Sequence, residues 1–117
     1  MDLTQAVAKH VEWKTKLRAA IAKKEQLDEK TISADNCCDL GKWLHGAAKP
    51  SVGTLPAYKD TVLKHAAFHK EAGKVASAIN AKKFTEAEAM LGNGTAYASA
   101  STAVGIAIAN LKKEAGM

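Results

Sequence analysis

Four side chains in this 117-residue chain have the chemistry of metal ligands: His10, Cys38, His65 and His69. The last two belong to the segment H-A-A-F-H, so they stand at i and i+4. On a helix that offset puts both imidazoles on one face, about one turn apart. Such a pair can hold one ion and leaves two corners of a tetrahedron open. His10 and Cys38 are placed to fill those corners from other helices. Three imidazoles and one thiolate make a closed site of the kind zinc prefers. A closed site keeps no free position for a substrate, which points to a structural or sensing metal rather than a catalytic one.

Distance separates the remaining candidates. His45 lies seven residues beyond Cys38, about 10.5 Å along a continuous helix, whereas zinc bonds are only about 2.0–2.3 Å long. The two cannot share an ion on an unbroken helix, so His45 is expected at an exposed helix end. Cys37 is rotated about 100° from Cys38 on a helix. Only one of the two thiols should face the histidines, and spacing alone does not choose between them. The plain alternative is a buried cysteine and three ordinary core histidines. Each imidazole would then need its own hydrogen-bond partner, at about 1–3 kcal/mol for each one left unpaired. Metal ligation satisfies all three together.

The elements that must position these donors read as helices. Leu3, Val7, His10, Trp13, Leu17 and Ile21 recur at helical spacing and predict a first helix over about 4–28, capped by Asp2 or Thr4. A short second helix over about 35–45 should carry Cys38, with Gly41 close to the same face so that neighbouring backbone can approach. A third helix starts near Thr54 with Pro56 in its first turn. Its stripe of Leu55, Tyr58, Val62, His65, His69, Ala72, Val75 and Ile79 points both histidines at the core. A fourth begins near a Thr85 cap and is interrupted at Gly92-Asn93-Gly94. It resumes with a seam of Tyr97, Ser101, Val104, Ile108 and Leu111, suited to packing in a bundle or against a second chain. The expected fold is all-α: an antiparallel four-helix bundle with a short additional helix carrying the ligand cysteine, in a single domain over residues 1–117.

Composition narrows the function. Apolar residues make up 47% of the chain and only six residues are aromatic, with no strand-like alternation. No run of about 18 apolar residues exists, so no membrane span is expected. The charged N-terminal residues do not resemble a signal peptide. Adjacent Cys37 and Cys38 cannot form an ordinary structural disulfide with each other, which fits a reducing compartment. The cytoplasm is the expected location. The net charge of +5 comes from dispersed lysines that often stand beside acids, with Arg18 the single arginine. Nucleic-acid binders cluster such charge on one face, so solvated lysine faces are the better account.

Three segments together carry a family resemblance: H-V-E-W from His10, C-D-L-G-K-W-L from Cys38 and H-A-A-F-H from His65. Their order and separations, 27 residues and then 26, resemble the signature of the chemoreceptor zinc-binding domain family. The resemblance extends over residues 3 to about 111. It implies zinc as cofactor, His10, Cys38, His65 and His69 as ligands, and no ligand role for Cys37. It also implies a helical bundle that forms homodimers and regulates an output signalling domain or receptor, in cis or in trans. Members sense zinc or oxidants such as hypochlorous acid, in chemotaxis receptors or beside cyclic-di-GMP-forming domains, and are not enzymes. Two departures stand out: the second thiol at Cys37, and Asp39 at a position that is often basic in the family. Rival readings are a metal-independent dimerisation bundle, a Cys–His hydrolase and a haem or di-iron bundle. The hydrolase lacks a signature for an orienting Asn or Asp, and a di-iron site wants several inward carboxylates.

Overall fold

Seven helices and no strands make up the chain, in a computed structural model that describes all residues 1–117. Three are long: α1 (Leu3–Lys23), α5 (Pro56–Asn80) and α7 (Ala96–Ala115). Four are short: α2 (Glu29–Ser33), α3 (Asp39–His45), α4 (Ala48–Val52) and α6 (Phe84–Met90). The all-helical expectation is met. Thr61 Oγ1 donates to Ala107 O, and the Ala57 amide meets the Glu114 carboxylate, so α7 runs antiparallel to α5. Lys112 reaches Thr4 on α1 in the same sense. The short helices α2 and α3 pack on the long ones from the side. No helix is long and apolar enough to cross a membrane.

Local chemistry sets the boundaries. Asp2 caps α1 by accepting from the Gln5 amide at 3.1 Å. The helix stops at Lys23, short of the predicted 28, because Lys24 turns left-handed at φ 56°. Beyond it, the Asn80 side chain brackets Leu27. Leu27 N–H donates to Asn80 Oδ1 at 2.7 Å, and Asn80 Nδ2 donates to Leu27 O at 2.9 Å. Asp28 then starts α2, a helix not among those predicted, by accepting from both the amide and the hydroxyl of Thr31. Gly73 of α5 lies directly under Ser33, where a methyl group would collide with the serine Cβ. So α2 rests on α5.

Two further expectations need correction. The cysteine helix begins at Asp39 and not at 35, so Cys38 caps it from an extended backbone (φ −82°, ψ 163°). Lys83, not Thr85, precedes α6, and no side chain caps that end. The interruption expected at Gly92-Asn93-Gly94 is present as a full break, and Thr95 caps α7 afresh by accepting from the Ala98 amide. Pro56 does sit in the first turn of α5, where its missing N–H costs nothing. The core gathers Leu17, Leu44, Phe68, Ile79, Leu91, Val104, Ile108 and Leu111, all almost fully buried. Phe68 matters most for the site, since its ring lies edge-on to His10 and His69 with centroids 5.3 and 5.5 Å away.

Candidate metal centre

His10 comes from α1, His65 and His69 from α5, and Cys38 from the N-cap of α3. All four predicted donors meet. Cys38 Sγ lies 3.2 Å from His65 Nε2, 3.5 Å from His69 Nε2 and 3.9 Å from His10 Nε2. His65 Nε2 is 3.1 Å from His10 Nε2 and 3.0 Å from His69 Nε2. A tetrahedral ion with bonds of about 2.0–2.3 Å has edges of about 3.3–3.8 Å. These five separations are close to that figure, all four donor atoms lie within 4.8 Å of one another, and the group is one that could hold a metal ion.

The rings arrive oriented. His10 Nδ1 lies 2.7 Å from Ala6 O, and His69 Nδ1 lies 2.9 Å from Ile32 O. A carbonyl only accepts, so each Nδ1 carries the proton and each Nε2 turns a lone pair to the centre. His65 Nε2 sits between those two lone pairs and can donate to at most one of them. Its own Nδ1 is buried with no partner. Three imidazole nitrogens and a sulfur thus crowd one point, and a single cation can take a lone pair from each of the four.

Electrostatics agree with a cation site. Burial holds all three imidazoles below their ordinary range, with His65 lowered to about 3 by desolvation first and by its two neighbours second. They therefore stay neutral, the form that ligates. Burial also pushes the Cys38 thiol up, against the Gly41 and Leu40 amides that favour the thiolate, while Asp39 adds to the rise. The Gly41 N–H donates to Cys38 Sγ at 3.3 Å. Asp39 is itself paired with exposed Lys9 at 3.3 Å, which tempers the acidic departure noted in the sequence. A bound cation reverses the thiol's preference and favours the thiolate.

The residues left outside are also informative. His45 is exposed and paired with Asp35 at 2.9 Å, away from the four donors. Cys37 is exposed and uninvolved, and neither cysteine forms a disulfide. Gly41 does permit close approach: a methyl there would collide with the Asp35 carbonyl, so the turn before Cys38 folds tightly over α3. Sequence reasoning missed the carbonyls of Ala6 and Ile32, which fix two rings. Every residue has a carbonyl, so no residue type could have signalled them.

Residues 10–76, more than half of the chain, match the sequence profile of the chemoreceptor zinc-binding domain family. No curated protein and no solved structure matches the chain. The matched span begins at the first donor and encloses the other three. With this donor set inside it, the chain belongs to the chemoreceptor zinc-binding domain family, and its cofactor is zinc.

Proposed function

We propose that His10, Cys38, His65 and His69 bind one zinc ion, and that residues 1–117 act as one regulatory sensor domain whose signal is the state of that site. The observation behind this reading is the convergence of four donors from three separate segments, two of the rings already locked with lone pairs inward. When bound, zinc supplies the charge that holds the three imidazoles and the thiolate together. His10 and His69 orient for it through Ala6 and Ile32, and Cys38 brings the N-terminus of α3. Structural zinc sites contribute apparent free energies of about 10–16 kcal/mol in small peptides. Whole domains are stable by only about 5–15 kcal/mol. Occupancy therefore decides how firmly α3 is held, and loss of the Cys38 sulfur by oxidation or zinc depletion releases it.

Family membership supports the rest of the reading. The domain works in the cytoplasm as a homodimer and passes the movement of α3 to an output module of the chemotaxis or cyclic-di-GMP type, in cis or in trans. It senses zinc or an oxidant such as hypochlorous acid, and it does no catalysis of its own. Elemental analysis tests the ligand set. Wild type and Cys37→Ser should carry about one zinc per chain, and Cys38→Ser far less. Equal loss in both variants refutes the assignment.

A further inference from the structure

Cys37 stands outside the four-donor cluster yet shares a cleft with it. The cleft, of about 550 Å³, is lined by Lys9, His10, Trp13, Cys37, Cys38 and Asp39 among others. His10, His65 and His69 are buried, while Cys38 is only half-buried. A small molecule entering the cleft therefore meets sulfur before the imidazoles of α5. Cys37 is exposed, and its Sγ has a single weak contact, 3.7 Å to Asn36 Oδ1. Its thiol is free to turn. Cys37 and Cys38 are one peptide bond apart and line this same cleft, with Cys38 outside the regular helix.

We propose that Cys37 is the resolving thiol for Cys38, making the adjacent pair a reversible oxidative modification site. This rests on the reading of Cys38 as the zinc-bound sulfur. The Cys38 thiolate attacks one oxygen of a hydroperoxide: the S–O bond forms, the O–O bond breaks, and hydroxide or alkoxide leaves. Cys37 sulfur then attacks the resulting sulfenic acid. The S–S bond forms, the S–O bond breaks, and the hydroxyl departs as water with the Cys37 thiol proton. The two sulfurs together lose two electrons, and the peroxide gains them. Without Cys37 the sulfenic acid is open to a second oxidant and proceeds to the irreversible sulfinic acid. Neighbouring Cα atoms lie only about 3.8 Å apart across a trans peptide, below the usual disulfide span, so the bond is strained and easily reduced. That suits a signal which must be erased.

The test is titration of zinc-loaded protein with hydrogen peroxide, followed by intact mass, zinc release to a coloured chelator, and then dithiothreitol. Wild type should become a monomer about 2 Da lighter than the reduced chain, release its zinc, and rebind a full equivalent after reduction. Cys37→Ser should gain about 32 Da and fail to rebind. A wild-type chain that gains oxygen instead, forms a cross-linked dimer, stays unoxidised, or recovers no better than Cys37→Ser overturns the proposal. Failure of the zinc reading shows separately, as protein that never loads zinc before the oxidant is added.

Discussion

On its imidazole side the candidate metal centre is held by two long helices, with every ring buried and two rings pinned to carbonyls by short hydrogen bonds. On its sulfur side it depends on one half-exposed cysteine at the tip of a seven-residue helix, reached through a turn without regular structure and open to a cleft. The first side is fixed by hydrogen bonds and packing within the protein itself. The second is anchored only at the body of α3, where Leu40 and Leu44 are buried and Tyr58 Oη donates to Leu44 O at 2.6 Å, so the half-exposed tip at Cys38 is the part left to follow what the centre contains. A sensor needs that asymmetry: a rigid reference and a part that responds.

Removing the metal probes the contrast most strongly. Treatment with a strong chelator should lower the melting temperature by on the order of 10 °C or more. Amide exchange should rise first over residues 34–45, while α5 and α7 stay protected. A uniform rise across all helices sinks the two-sided picture.

His65→Ala attacks the rigid side. It removes the ring that touches all three other donors, so zinc content should drop at least as far as in Cys38→Ser. It should also cost the metal-free fold about 1–3 kcal/mol in chemical denaturation, whereas Cys38→Ser leaves that fold nearly unchanged. Equal metal-free stability in the two variants contradicts the comparison.

Acid separates the sides by charge. Burial lowers the pKa of the three imidazoles, His65 from 6.5 to about 3. Below 6.5 the unfolded chain takes up protons that the folded state refuses, so stability rises with pH across this window. Metal-free protein should hold its stability above about pH 6.5 and lose it progressively towards about pH 3. Circular dichroism of chelated protein checks this, and Cys38→Ser should follow the same curve.

Gly41→Ala perturbs only the sulfur side. The added methyl runs into the Asp35 carbonyl, and such overpacking costs about 1–3 kcal/mol. Zinc affinity should fall roughly in proportion, about tenfold per 1.4 kcal/mol, while α5 and α7 keep their exchange protection. The smallest effect belongs to Asp35→Asn, which breaks a partly exposed pair with His45. About 0–1 kcal/mol is expected in thermal unfolding, and a larger loss gives that pair a greater share in holding the turn.

Much of this centre was legible in the residues. The two α5 histidines announce themselves through their i, i+4 offset on an apolar stripe, and His10 through its place on the stripe of α1. Regular helices carry side-chain direction in their spacing, so three of the four donors could be aimed from sequence. The fourth could not. Cys38 lies outside regular structure, where helical rotation says nothing about direction, and only the family signature chose it over Cys37. The boundaries that failed share a cause. The end of α1 and the start of α2 depend on a left-handed Lys24 and on Asn80 reaching Leu27 across 53 positions. One is a backbone conformation and the other a long-range contact, and neither leaves a periodic trace, whereas the glycines before α7 did mark the interruption there.

The bracket of Asn80 on Leu27 and the seat of Ser33 on Gly73 also limit the length of any stroke. Both anchor the chain up to residue 33, so the tether to Cys38 is only Ala34 to Cys37. Four residues reach about 14 Å when fully stretched, which caps how far Cys38 can travel from Ser33. Under the proposed switch, α3 can therefore only pivot about a short tether, and an output module that reads it is expected to sit beside that helix.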